Sequence, residues 1–425
     1  MFVLLISPQT FLPVLGRLRI ALLAGGVAIA AYCWDRFRRK EPLAPMTREL
    51  WAAGALLGWA VVTLPLSEWS GGSLQILVDV FLKALIVFWL LRVTVTTLGR
   101  LRVVAWSLSL MAGVLAVNFV QRFSANPTAS RVFGYGGALA WNPNDLALTL
   151  NLILPLTVAL FLVNRRPLVQ GLLAGLIALE AGAIVATFSR GGFLTLATVL
   201  ILYLRTLHRR GQWKWVIATL IIAVAVVPLL PAGYLTRLST IIDIQADQTG
   251  SAQERVGDTQ AGLSFVLSHP FVGAGLGMNI LALNDLRGAR WLRVHNAYLE
   301  YAMDLGWLGL GLFLFLLAGC IGTAARLRDR CADLPPLREL FTLADAIRIS
   351  LVGFSVAALF HPVAYTFYLF LVAGPAVALP SVYTAETRRL LVGVDPVNAR
   401  DNGRSAMTAH SRPVTRFGPD GKGNR

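Results

Sequence analysis

Six arginines and one histidine mark where this sequence could do chemistry. Arg190 stands in TFSRGGF, Arg255 in SAQERVGDTQ, and Arg131 in SRVFGYGG. Arg287, Arg290 and Arg293 follow at intervals of three in DLRGARWLR, and His295 comes next in VHNAYLEY. A guanidinium stays charged at any relevant pH, and its planar fork matches pairs of phosphate oxygens. Such a cluster beside apolar segments suits a phosphate or pyrophosphate carried on a lipid. The plainer alternative is headgroup snorkelling, or ion pairs with Glu254, Asp258 and Asp285. At Arg190 the small neighbours Gly191 and Gly192 leave room for a ligand. Imidazole titrates near neutrality, so His295 could accept a proton from a hydroxyl. Glu300 and Asp304 lie one and two turns further on and could orient the ring, or could serve helix–helix hydrogen bonds. Asn296 and Tyr298 are further candidate binding residues.

Other chemistries find no pattern. There is no DxD pair, no HExxH and no Cys/His set at ligand spacing, so no metal and no cofactor are expected. Asp243 and Asp247 stand one helical turn apart, as a solvated acidic face would place them. GAGLG has neither the spacing nor the preceding strand of a dinucleotide fingerprint and reads as a tight turn that needs small residues. Asp79 and Lys83 are spaced to pair on one helix face. Glu180 sits near the middle of an apolar run, and no role follows from its position.

The elements that must position these residues are membrane helices. The chain has 425 residues, 56% of them hydrophobic and 14% charged, against ~25% charged in a soluble domain. A spanning helix takes about 20 apolar residues. Runs of that kind fall at 18–35, 50–66, 74–93, 103–121, 144–163, 168–187, 191–207, 215–231, 299–325, 346–361 and 366–383. The stretch 2–15, interrupted by Pro8 and Pro13, is a candidate twelfth. The formal charge of +16 would suggest nucleic acid in a soluble protein. Here the basic residues fill alternate gaps between spans, which is the cytoplasmic signature, and nucleic acid is not an expected partner. By that rule the insert 232–298 lies outside and both termini inside. The organisation expected is 1–231 for the N-terminal helices, 232–298 for the large outer loop, 299–383 for the C-terminal helices and 384–425 for a disordered basic cytoplasmic tail. Within the insert a helix is predicted over SAQERVGDTQAGLSFVLSH, capped by Thr249 or Ser251 and ended by His269-Pro270. Its apolar face would be Val256, Leu263 and Val266 or Leu267. Cys33, Cys320 and Cys331 are expected as free thiols.

Taken in order, RVFGYGGALAWNPNDLAL, TFSRGG, the arginine-bearing outer helix, HPFVGAGLG and HNAYLEYAMDLGWLG resemble the O-antigen ligase and polymerase superfamily, over roughly residues 70–325. The resemblance implies an all-α polytopic membrane protein of GT-C type, with about 12 transmembrane helices and one large periplasmic helical loop. It implies an inverting, metal-independent glycosyltransferase in the bacterial inner membrane. The donor would be O-antigen on undecaprenyl pyrophosphate and the acceptor lipid A–core, with membrane lipids around both. The family's two essential arginines match Arg190 and Arg255, which would hold the donor pyrophosphate, and its essential histidine matches His295. Arg287, Arg290, Arg293 and Arg131 could then meet the acceptor or further phosphates.

Within the superfamily the rivals are a Wzy-type polymerase and a protein O-oligosaccharyltransferase. One large outer loop and a compact length favour the ligase. A lipid-linked glycan transporter would be expected to show internal repeats and midplane polar residues, and the sequence shows no obvious repeat.

Overall fold

The computed structural model describes residues 2–10, 20–42, 45–125, 142–226, 228, 234, 239 and 250–392. Arg131, Asp243, Asp247, Thr249 and the tail beyond 392 lie outside the described residues, as does most of the insert before Gly250.

Among the described residues every regular element is helical, and the architecture is that of an all-α polytopic membrane protein. In chain order the helices are α1 (Phe2–Leu5), α2 (Ile20–Arg38), α3 (Arg48–Thr63), α4 (Ser70–Ile76), α5 (Leu82–Thr94), α6 (Leu98–Ala125), α7 (Pro143–Val163) and α8 (Pro167–Ala186). They continue as α9 (Arg190–Arg209), α10 (Trp213–Val226), α11 (Ser251–Ser268), α12 (Asn279–Arg287), α13 (Ala297–Cys331), α14 (Arg338–Ala357) and α15 (Phe367–Val392). A π-helical turn, Leu77–Phe81, joins α4 to α5 into one rod. Nine helical stretches among the described residues are long and apolar enough to cross a membrane, and they coincide with nine of the eleven expected spans. The other two expectations fall on α2 and on α10. The latter has 14 residues in its described part. α15 runs past the expected end at 383 to Val392, because TAETRRLLV is made of good helix formers and Glu386 sits one turn before Arg389, 3.9 Å away.

α7 is the hub of the bundle. Nearly every residue from Leu146 to Leu160 is buried, as expected of a helix apolar all round. α6, α8, α9 and α14 pack around it. Glu180 of α8 is wholly buried there and takes a hydrogen bond from the Thr157 hydroxyl at 3.0 Å, which also meets Ser109 at 2.9 Å. Asp79 and Lys83 do pair, at 2.9 Å.

The connections sort to two ends. At one end the basic gaps meet: Arg102 grips Glu339 with two hydrogen bonds of 2.6 and 2.7 Å, Arg210 stacks 3.5 Å over Phe341, and Arg328 and Arg348 share Asp345. At the other end the insert meets the 64–69 and 358–366 turns, with Glu68 N–H donating to Ala274 (2.9 Å) and Ala297 N–H to Ala358 (2.8 Å). The counts of basic residues predicted this division. The cysteines are free: Cys33 is exposed, and Cys320 and Cys331 are buried.

Candidate active site

Arg190 is the first residue of α9. Ser189 caps that helix, its hydroxyl accepting the Gly192 N–H at 3.1 Å. The preceding turn is tight enough to hold Phe188 at φ 52°, a left-handed conformation that costs a non-glycine residue about 1–3 kcal/mol. The glycines after Arg190 do not leave empty room, as the sequence suggested. A Cβ on Gly191 would stand 3.0 Å from His361 Cε1 and 3.0 Å from Phe360 Cβ, and one on Gly192 would stand 2.7 Å from the Ala147 methyl. They are glycines because α9 begins in direct contact with α7 and with the 358–366 turn.

That turn carries no Lys, Arg, Asp or Glu. Its residues reach the Arg190 turn and the His295 segment. Ala358 accepts from Ala297, two residues after His295. Ala364 N–H donates to Glu300 Oε2 at 2.9 Å, and Tyr365 N–H to the Tyr301 hydroxyl at 3.3 Å. Tyr365 is itself held at φ 66°. His361, 2% exposed, donates Nδ1–H to the Ala357 carbonyl at 2.8 Å, since a carbonyl can only accept. Burial pushes its pKa down to about 4, helped by the charge of Arg255 and opposed by the Ala357 and Asn144 backbone. The imidazole therefore sits neutral against the start of the Arg190 helix. A histidine followed by proline between two apolar helices was the one signal that could have singled it out.

α11 carries Arg255, half-buried, and ends at His269 as predicted. Its expected cap fails, and its expected face holds only at Val266. Its N-cap is Gly250, at φ 68° with no side-chain cap, instead of a hydroxyl. Its packed face is Asp258, Gly262, Phe265 and Val266, while Val256, Leu263 and Leu267 are exposed. Gly262 sets this face: a Cβ there would come within 2.8 Å of Met303 Sδ, so α11 lies directly on α13. The HPFVGAGLG turn fixes the other side of α13. Asp304, fully buried, accepts from Gly277 N–H (2.8 Å), Asn279 N–H (2.7 Å) and Asn279 Nδ2 (3.1 Å). Gly273 and Gly306 both take positive φ and meet backbone atoms, the first of Met303 and Asp304, the second of Phe271. GAGLG is thus a tight turn of small residues, as read, and Gly306 kinks α13 just past the site.

The arginine run is paired. Arg287 and Asp258 form a buried ion pair, Arg290 stands 3.7 Å from Glu254, and Arg293 stands 3.8 Å from Glu300. The first ties the end of α12 to α11, the second ties the segment after α12 to α11, and the third ties that segment to α13. His295 is half-buried in the extended segment before α13. Asn296 caps α13, its Oδ1 accepting from Tyr298 and Leu299 N–H at 3.0 and 3.1 Å, and the Tyr298 hydroxyl donates to the Ser355 carbonyl at 2.8 Å. The structure therefore brings the Arg190 turn and the His295 segment to one histidine-bearing turn, and it sets the Arg255 helix on α13. It leaves Arg287 in a structural pair.

Residues 172–314 match the family model described as O-antigen ligase. The match takes in Arg190, Arg255 and His295 together, and it supports the resemblance to the O-antigen ligase superfamily over this segment. A solved structure described as "Structural coordination of polymerization and crosslinking by a peptidoglycan synthase complex" aligns over 80% of this chain and 97% of its own, at 18% identity and a TM-score of 0.44. No curated protein matches the chain.

Proposed function

We propose, from its match to that family over residues 172–314, that the protein is an inverting, metal-independent glycosyltransferase of GT-C type. It transfers O-antigen polysaccharide from undecaprenyl pyrophosphate to lipid A–core at the periplasmic face of a bacterial inner membrane, with its C-terminus in the cytoplasm. The observation that carries this reading is the matched segment itself, which holds two arginines and a histidine.

The acceptor hydroxyl attacks the anomeric carbon from the face opposite the pyrophosphate. As the new C–O bond forms, the bond from the anomeric carbon to the phosphate oxygen breaks. The electron pair leaves on undecaprenyl pyrophosphate, and the configuration inverts. His295 takes the hydroxyl proton, a contribution of roughly 10²–10⁴-fold. Arg190 and Arg255 bind the pyrophosphate and stabilise the charge that grows on it, a contribution of roughly 10²–10³-fold for one lost donor of this type. A phosphoanhydride is already a good leaving group, so two guanidinium groups can do what a metal does elsewhere. Arg290 and Arg293, about half exposed, meet anionic groups of the acceptor.

Purified protein with lipid-linked donor and lipid A–core tests the proposal. Glycan joined to lipid A–core, at a rate EDTA leaves unchanged, supports it. Longer lipid-linked glycan with no transfer to lipid A–core identifies a polymerase instead, and movement of donor across liposomes without a covalent product identifies a transporter.

A further inference from the structure

The basic end of the bundle, away from the insert, holds a cavity of about 120 Å³ where α9 ends and α10 and α14 begin. That is below the roughly 300–1,000 Å³ of a pocket enclosing a whole small molecule, and it suits one small ionic group. Arg210 and Arg338 border it, with Thr206 and Gln212 beside them. Phe161 and Trp215 form a wall, their rings edge to face at 6.0 Å. Cations here outnumber their partners. The one carboxylate on the lining is Asp345, and it is already shared by Arg348 at 2.8 Å and Arg328 at 3.4 Å. Among the described residues neither Arg210 nor Arg338 has an ion pair. Arg210 is half-buried, with its guanidinium 3.5 Å over the Phe341 ring. Stacking spends the face of the guanidinium and leaves its N–H edge for an acceptor. Burial, then the charge of Arg338, hold its pKa below the ordinary arginine value, against the pull of Asp345. A solvated basic loop needs no ligand. A fixed, partly desolvated cation on the rim of a formed cavity is a different thing, and an anion would stabilise it. Trp213 and Trp215 are both exposed, and indole rings collect at the headgroup level of a bilayer. Basic pockets between helices at that level are where lipid headgroups are held.

We propose that this cavity is a phosphate site, in which Arg210 and Arg338 hold the phosphate of an anionic membrane lipid. The Arg210 fork, fixed in direction by Phe341, meets the phosphate oxygens with its edge. Arg338, exposed in the first turn of α14, closes the site from the other side. The start of α14 has no side-chain cap, and its dipole adds to the preference for negative charge. A soluble phosphate would be recognised by the same donors, and the test separates the two sources. The inference is independent of the transfer reaction proposed for the opposite end.

The test is lipid binding to the full chain in detergent, followed by native mass spectrometry, with phosphatidylglycerol, phosphatidylcholine and inorganic phosphate as probes. Wild type is compared with Arg210→Gln, Arg338→Gln and Arg205→Gln. The last removes the same charge from an exposed position off the cavity. A charge that merely lies near an anionic lipid contributes about fivefold, and a hydrogen bond to a charged group about tenfold to hundredfold. Arg210→Gln should therefore weaken phosphatidylglycerol tenfold or more, and Arg338→Gln more than about fivefold. Arg205→Gln should cost no more than about fivefold. Phosphatidylcholine, which brings a positive choline to the arginines, should bind more weakly than phosphatidylglycerol. If Arg210→Gln does not fold, Arg338→Gln carries the comparison with Arg205→Gln. Phosphate that raises the unfolding temperature of wild type and not of the cavity variants, with no lipid retained, supports the site and assigns it to a soluble anion. Equal losses in all three variants overturn the inference, as does phosphatidylcholine held as tightly as phosphatidylglycerol, or a wild type that takes neither lipid nor phosphate.

Discussion

The arginine run 287–293 and the turn that presents Arg190 lie at the same end of the bundle and are built differently. In the run each guanidinium stands near a carboxylate: Arg287 by Asp258, Arg290 by Glu254, Arg293 by Glu300. The Arg287 charge is consumed in holding α12 to α11, while Arg290 and Arg293 stay about half exposed. The Arg190 turn is made of neutral groups instead: the Ser189 hydroxyl, two close-packed glycines, and an imidazole kept uncharged by burial. Counting arginines treats the two sets as one cluster. Their surroundings separate a clamp at Arg287 from the proposed ligand site at Arg190.

Breaking each set should give opposite signatures. The largest effect on stability is expected from Arg287→Ala, which leaves Asp258, 4% exposed, charged and without its partner. Removing one member of a buried pair costs about 3–5 kcal/mol, so thermal unfolding should shift down markedly. The rate per folded molecule should fall far less. Gly191→Ala should reverse the pattern. The added methyl meets His361 and Phe360 at 3.0 Å and shifts the start of α9. A misplacement approaching 1 Å can cost about 10²-fold, so transfer should fall tenfold or more while unfolding moves little. Arg290→Ala removes an exposed contact worth less than about 1 kcal/mol. It should leave stability unchanged and raise the KM for acceptor a few-fold.

The smallest effect concerns pH. Folding lowers the pKa of His361 from 6.5 to about 4. Between those values the unfolded chain binds a proton that the folded chain refuses. The stability is therefore present in full above pH 6.5 and is lost as pH falls towards 4. Unfolding measured from pH 7 to 4 should show a shallower loss for His361→Gln than for wild type.

How much of this was legible in the sequence depended on range. Spans were readable because about 20 apolar residues in a row have few other uses, and the ordering of loops followed from which gaps held arginine. GAGLG was readable as a turn, since three of its glycines take positive φ. The face α11 buries was not. Val256, Leu263 and Leu267 carry the hydrophobicity, but Gly262 permits the close approach to α13, so the helix docks through Gly262, Phe265 and Val266 with the more apolar stripe outward. His361 was invisible for a related reason. It becomes part of the site only because α14 returns its end to the start of α9, and that contact joins residues far apart in the chain. The ion pair of Arg287 was among the alternatives weighed from sequence, and only the packing of α12 on α11 selects it.

The central claim is that Arg190, Arg255 and His295 act as one site. Single-turnover transfer by Arg190→Ala, His295→Ala and the double variant tests it most directly, because residues that act as a unit are strongly non-additive. The account predicts that each single variant loses at least about 10²-fold, and that the double variant is within a few-fold of the slower single. A double variant whose loss equals the product of the two single losses, or a His295→Ala protein with undiminished transfer, would contradict it.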